Sequence, residues 1–295
     1  MASLKEIKGR INSVNGTLKI TSAMKMVASS KLHKVQGLIG NMLPYERQMH
    51  EILYRLMSDT SVRMCEEYMT PRPVRKVSIV AVASNSSLCG AFNSNAIRNF
   101  TEAVDSWLEA GLSRDDITVY AVGRKMAEAV AKAGFPPTGD YNRLGDRHDY
   151  NEIAAFAENL TGRYLDRETD RVELVYTHFK STAVQVPVRE TFLPFSRSIL
   201  PEGMSEEGEK YLNDYIIEPD PESVLRVLLP KVLILKIFTM LVDANAAEHA
   251  ARMMSMQEAT DNGNQLLQEL SLQYNKQRQQ SITDELLDIV SGSMA

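Results

Sequence analysis

Apolar residues recur on a seven-residue cycle at the start of the chain: Leu4, Ile7, Ile11, Val14 and Leu18, then Ala28, Leu32, Val35, Ile39 and Met42. A stripe of that period is a coiled-coil seam, because it keeps one face of a helix turned toward a partner. Thr21 and Lys25 break the cycle, and Ile20, Met24 and Val27 stand beside them, so the stripe is expected to shift sideways there. Asn15-Gly16 is a hairpin dipeptide in other settings, but no strand alternation flanks it and the helical period runs through it. Pro44 should kink or briefly interrupt the helix, which resumes through Met49, Leu53, Leu56 and Met57.

The other end carries the same signature in Leu225, Leu228, Val232, Leu235, Val242, Ala246, Met253, Met256, Leu267, Leu270 and Tyr274, with Thr239, His249, Thr260 and Gly263 as exceptions. A displaced stripe of Ile282, Leu286 and Ile289 follows, before Ser291-Gly292-Ser293 ends the helix. At 1.5 Å per residue, residues 222–290 would extend roughly 100 Å and residues 4–57 roughly 80 Å. A compact chain of this size is only about 50 Å across. Such helices are expected to project from a body, and because a lone seam in water is unstable they should pair with each other, antiparallel and left-handed.

The middle of the chain has a different texture. VSIVAVA at 77–83 and ITVYAV at 117–122 are short continuous apolar runs of the kind found in buried parallel strands. Helices are predicted at about 93–110, from Gly123 to Gly134, and at 150–166; strand 172–177 then returns through a polar turn at 180–182 into strand 184–192, with Pro187 placing the last strand at a sheet edge. This alternation predicts a small α/β domain with right-handed crossovers. The expected fold is therefore α/β plus a long antiparallel two-helix coiled coil: an N-terminal helix over 1–60, a small Rossmann-like sheet domain over 74–200, and a C-terminal helix over 210–295 that pairs with the first.

Composition narrows the function classes. A net charge of −5 over 295 residues gives no general reason to expect nucleic acid. Two cysteines, Cys65 and Cys89, make no disulfide framework and carry no metal-ligand spacing, which fits a reducing compartment. The opening MASLKEIKGRINSV lacks the apolar block of a secretory signal. The most apolar segment, 224–242, holds Pro230, Lys231 and Lys236, so no direct transmembrane span is expected. Charge is unevenly placed: residues 1–34 hold Lys5, Lys8, Arg10, Lys19, Lys25, Lys31 and Lys34 against Glu6, whereas residues 202–222 hold eight Asp or Glu against Lys210. A solvated helix face accounts for the first cluster, and so does a face that meets an acidic partner.

Candidate chemistry is thin. SNSSLCGAFN at 84–93 follows a strand and precedes a helix, where α/β proteins place ligands, but neither G-x-x-x-x-G-K-[ST] nor G-x-G-x-x-G is present. Cys89 is a candidate nucleophile at a helix start, without a histidine near it in sequence. His249 lies on the seam; Glu248 beside it should not share its helical face, and Asn245 and Arg252 are poor metal ligands, so a hydrogen-bonded histidine between helices is expected. The methionines at 24, 26, 253, 254 and 256 are read as adaptable packing.

Four stretches, ITSAMKMVASSKL (20–32), SNSSLCGAFN (84–93), AEHAARMMSMQEATDNG (247–263) and NKQRQQSITDELLDIVSG (275–292), closely resemble the gamma subunit family of bacterial rotary ATP synthases, and the resemblance covers nearly the whole chain. It implies a non-catalytic central rotor shaft of a proton- or sodium-translocating ATP synthase, with no cofactor and no metal of its own. The implied partners are the alpha and beta subunits of the catalytic hexamer, an epsilon subunit and the membrane c-ring, at the cytoplasmic side of the bacterial inner membrane. By position Met24, Lys25 and Met26 match the segment that meets an acidic lever of beta; Arg278, Gln279 and Thr283 match residues that engage beta loops near the top of the bore; Tyr215 and Glu218 match the foot at the membrane ring. Ser22, where many members carry lysine, and Asn85-Ser86-Ser87, in place of a more usual Asp-Arg-Gly, depart from the family pattern and imply no contact. A free-standing coiled-coil adaptor and an α/β enzyme using Cys89 are the alternative readings.

Overall fold

The computed structural model describes residues 3–58, 66–195 and 217–293. Two long helices frame the chain, α1 (Leu4–Ser58, 55 residues) and α6 (Pro221–Ser293, 73 residues). Between them lie α2 (Glu66–Met69), β1 (Val77–Val82), α3 (Phe92–Glu109), β2 (Ile117–Val122), α4 (Arg124–Lys132), α5 (Tyr150–Leu165), β3 (Arg171–Phe179) and β4 (Gln185–Leu193). The chain divides into two compact units, one of residues 1–30 with 252–295 and the other of residues 31–251.

In the first unit the ends of α1 and α6 run antiparallel. Thr21 Oγ1 lies 2.9 Å from Thr260 Oγ1, and a Cβ placed on Gly263 would come within 2.7 Å of Leu18 Cδ2, so the partner's number falls as that on α1 rises. The covered positions on α1 include Leu4, Ile7, Ile11, Val14, Leu18, Thr21, Lys25 and Ala28, an unbroken heptad series, with Ser22 and Met24 half-buried beside it. Of the residues expected to carry a sideways shift at 20–27, Met24 is half-buried beside the seam, but Ile20 and Val27 are exposed. Thr21 and Lys25 keep their places in the seam, and Ile20, Met26 and Val27 are left exposed. The reason is the mate: Thr260 gives the Thr21 hydroxyl a partner, so this polar layer needs no detour.

The displaced stripe at the end of α6 is likewise not a seam. Ile282, Leu286 and Ile289 are exposed. Carrying the observed register to Leu4 brings the start of α1 opposite Gln277, and beyond that point α6 continues with no facing turn of α1. The brief interruption considered at Pro44 is not seen, since α1 runs through it without a break. Its ring is exposed, where the Gly40 carbonyl that loses its helical donor remains open to solvent.

The second unit is built on a four-stranded sheet in the order β2-β1-β3-β4, with β1 parallel to both β2 and β3, and β4 antiparallel at the edge. All six residues of β1 are buried, as the continuous apolar run requires of a central parallel strand. Val77, Ile79 and Ala81 face α3 and α4 in a core that includes Phe100 and Phe135, whose rings meet edge to face. Tyr120 on β2 faces the other way, onto Phe156 of α5.

The sheet itself carries a charged residue in its interior. Glu173 on β3 is 2% exposed. Its Oε2 accepts from Trp107 Nε1 at 3.1 Å and Arg189 Nε at 2.8 Å, and its Oε1 accepts from Arg171 Nε at 2.9 Å. Both guanidinium groups also lie over the Trp107 ring, 5.5 and 5.8 Å from its centroids. A buried carboxylate is tolerated only when paired in this way, and removing it leaves two cations facing each other.

Glu173→Gln should lower stability by about 2 kcal/mol, below the full cost of breaking a buried pair because both arginines keep a third of their side chains in water; denaturant titration followed by emission of Trp107, the single tryptophan, measures it. Gly263→Ala should be nearly neutral, because the tip of Leu18 turns aside and alanine favours helix. Gly263→Leu should cost about 1 to 3 kcal/mol by overpacking and be relieved by Leu18→Ala, as read from thermal melts of the single and double variants.

Candidate functional site

The outward faces of the long helices hold most of the residues singled out by sequence. Around the Thr21–Thr260 layer, Met24 and Lys25 are half-buried at the edge of the seam, while Met26 is 70% exposed and stands with Ile20 and Val27. Lys5, Lys8, Arg10, Lys19, Lys31 and Lys34 are exposed, and no ion pair joins them to a described residue. The local surface therefore alternates unpaired cations with bare apolar side chains. Such a surface suits contact with acidic groups set around an apolar patch.

Arg278, Gln279 and Thr283 fall on the part of α6 that lies past the start of α1, and all three are exposed. Thr283 Oγ1 donates back to the Gln279 carbonyl at 2.9 Å, a local bond that leaves the hydroxyl oxygen facing outward. Here Ile282, Leu286, Leu287, Ile289 and Val290 are exposed on an arc of roughly 160°, taking 100° per residue. An apolar arc that wide on a helix is normally covered. Glu218 is exposed in the turn before α6, where Asp220 caps the helix by accepting from Ser223 N at 2.9 Å and Pro221 takes the first helical position. Tyr215 and the acidic segment up to residue 216 lie outside the described residues.

The turn after β1 is tied together by internal hydrogen bonds. Asn93 Oδ1 accepts from Ser84 N at 3.1 Å, and Asn93 Nδ2 donates to the Cys89 sulfur at 3.1 Å. Cys89 is 1% exposed and packs with Phe92, Phe179, Ala247 and Ala251. A buried thiol held among apolar groups is a packing element and has no path to a substrate. In open α/β sheets the crevice beyond the carboxyl ends of the strands, at the point where strand order reverses, holds ligands. Here Ala247 and Ala251 of α6 pack at that end of the sheet as a plug, against Cys89 and Phe92 after β1 and Phe179 at the end of β3. Asn245 Nδ2 reinforces the plug by donating to the Gly145 carbonyl at 2.8 Å.

Asn85, at a position that departs from the family pattern, has a structural role that sequence did not reveal. It donates to the Asn142 carbonyl at 2.8 Å and to Asp146 Oδ2 at 2.6 Å, and accepts from Arg124 N at 2.9 Å, so it latches three loops together. His249 differs from expectation: Glu248 Oε2 lies 2.5 Å from its Nδ1, although the two are adjacent in sequence. Residues 244–250 of α6 are buried all round, so neighbouring side chains have nowhere to diverge and fold toward each other. Among the described residues no group of three or more His, Cys, Asp or Glu is placed to share a metal ion.

Comparison with known proteins adds the family. The ATP synthase family model matches residues 3–295. The chain is 55% identical to the ATP synthase gamma chain of Phocaeicola vulgatus over the full length of both, and 51% identical to that of Bacteroides thetaiotaomicron, again over both full lengths. The gamma chain of Flavobacterium johnsoniae is 40% identical, over all of this chain and 99% of its own. Among solved structures, a chain of the Euglena gracilis mitochondrial ATP synthase rotor shares the fold with a TM-score of 0.60 at 16% identity, over 95% of this chain and 98% of that one. A chain of the Tetrahymena thermophila central stalk and c-ring does so with a TM-score of 0.59 at 21% identity, over 81% and 99%. Paired terminal helices, a sheet whose ligand crevice is plugged and full-length identity above one half lead to one assignment: the chain belongs to the ATP synthase gamma chain family.

Proposed function

We propose that this chain is the central shaft of a rotary ATP synthase and supplies none of the nucleotide chemistry itself. The observation that carries this reading is the surface of its paired helices: exposed apolar groups between unpaired cations at residues 20–34, and a broad bare arc on α6 beyond Gln277. Helices that bury one seam against each other and leave such faces outside need a surrounding partner. The partners are the alpha and beta subunits around the helices, with an epsilon subunit and the membrane c-ring at the foot, where Glu218 and Tyr215 lie in sequence. Among the described residues no helix is long and apolar enough to cross a membrane. In this reading attachment is peripheral and through the ring, on the cytoplasmic side of the bacterial inner membrane.

The mechanism is differential binding. The helix pair is not symmetric about its axis, so each angular position presents different side chains to each of the surrounding catalytic subunits. A subunit that meets Lys25, Met26 and Val27 in one of its conformations is stabilised there by contact and charge; one that meets a polar face is not. Turning the shaft moves those contacts from one subunit to the next, and ligand affinity at the catalytic sites follows the conformation by linkage. Arg278, Gln279 and Thr283 steady the end of α6 through polar contacts to beta loops, while Met24 gives adaptable packing where neighbours change with angle.

Native pull-down of the tagged chain should recover alpha and beta subunits in fixed ratio; their absence would leave a free-standing adaptor as the better account. Lys25→Glu should leave the melting temperature of the isolated chain within a few degrees of wild type yet reduce ATP-driven ion pumping by the assembled complex about tenfold or more. Equal damage to stability and pumping would show that Lys25 acts only within the helix pair and not on a partner.

A further inference from the structure

On the sheet face opposite α3, a cavity of about 360 Å³ lies wholly within the unit of residues 31–251. Three regular spacings build it. Ile39, Met42 and Glu46 stand on one face of α1 at i, i+3 and i+7; Lys236, Thr239, Met240 and Asp243 do the same on α6; Tyr176 and His178 are two apart on β3. Its volume is at the small end of the range for small-molecule sites, and its composition is theirs as well, apolar walls with a few converging polar groups. The two methionines give walls that adapt to an occupant.

The charges inside are unevenly engaged. Lys236 Nζ is 3.0 Å from both carboxylate oxygens of Glu190, so the one ammonium is already matched. Asp243 accepts from Phe179 N at 3.2 Å and lies 2.7 Å from His178 Nδ1. Glu46 is the exception. Its Oε1 reaches only the Thr239 hydroxyl at 3.5 Å and His50 Nε2 at 3.8 Å, both long, while a fifth of its side chain remains open. Around the cavity Glu46, Glu190 and Asp243 thus outnumber Lys236, with His178 the other basic group. Tyr176 registers the resulting field: burial first, then Glu190, Asp243 and Glu46, push its phenol far above the ordinary tyrosine range. Burial opposes charge of either sign, so a cation gains there only where a carboxylate meets it directly, as Glu46 can.

We propose that this cavity binds a small organic monocation with an apolar tail, in chemical class a primary alkylamine, with its ammonium on Glu46 and its tail along Ile39, Met42 and Met240. An anion finds no free cation there, since Lys236 is held by Glu190. A neutral alcohol of the same length gains the apolar walls but not the carboxylate. An occupant touches α1, α6 and β3 together, and so stiffens the attachment of these helix segments to the sheet.

The test is calorimetric titration of the full chain at neutral pH with hexylamine, hexan-1-ol and hexanoate. Hexylamine should bind saturably at one site, about tenfold more tightly than hexan-1-ol, and hexanoate should give no saturable heat. Glu46→Gln should lower hexylamine affinity about tenfold and leave hexan-1-ol unchanged. If that variant does not fold, protection of the wild-type chain against thermal unfolding by hexylamine and not by hexanoate supports the site. The proposal is overturned by the absence of saturable hexylamine binding, by hexanoate or hexan-1-ol binding as tightly as hexylamine, or by a Glu46→Gln variant that binds the amine normally.

Discussion

The register between the two chain ends is the constraint on which the outer surface depends. A seam made only of apolar residues permits sliding by whole heptads, because one such layer resembles the next. This seam contains two layers that do not. The Thr21 and Thr260 hydroxyls satisfy each other at 2.9 Å, and Leu18 sits against Gly263, the one seam position on α6 without a side chain. A slip of one heptad would bury each hydroxyl against hydrocarbon and set Leu18 against a larger residue. A polar layer is a known means of fixing register at some cost in stability. Here it decides which residues remain outside: Ile20, Met26 and Val27 are exposed because Thr21 and Lys25 occupy the seam, and α6 is bare beyond Gln277 because α1 has ended.

The same helix that pairs at its far end is buried all round at residues 244–250. There it takes the place a ligand has in other open α/β sheets, with alanines for close approach and Asn245 for a polar tie. A shared sheet topology therefore says little about chemistry; the occupant of the crevice says more.

The periodic part of this architecture was legible in the amino-acid sequence, because heptads and apolar runs are local patterns. Leu4 to Met42 and Leu225 to Tyr274 announced a seam, and β1 announced a buried strand. The breaks at Thr21, Lys25, Thr260 and Gly263 were visible as breaks, but not as two matched layers, since their partners lie some 240 residues away. Reading the breaks one helix at a time produced the expectation of a shifted stripe. Glu173 escaped notice for a similar reason: its strand looks apolar, and Trp107 and Arg189, which make its burial tolerable, belong to other elements. Glu248 and His249 were separated by helical-face reasoning, which presumes a solvent side that this stretch of α6 lacks. For the candidate contact residues, periodicity marked Met24 to Met26 as anomalous, whereas Arg278, Gln279 and Thr283 were reached by resemblance alone.

Magnitudes connect the exposed groups to the proposed role. Moving a two-state partner from 1:99 to 99:1 takes a difference of about 5.5 kcal/mol between its two conformations. Fully covering one large aliphatic side chain contributes about 1.5 to 3 kcal/mol. Ile20, Met26 and Val27, already bare and already on one side, therefore suffice in principle if one conformation covers them and the other does not. Groups buried permanently in the seam contribute nothing to that difference, since their contacts are the same at every angle. A shaft that drives conformational change must hold its useful apolar surface outside its own core. That requirement accounts for polar residues inside a coiled coil and hydrocarbon on its surface, an inversion of the usual pattern that would be a defect in a helix pair with no partner to turn against.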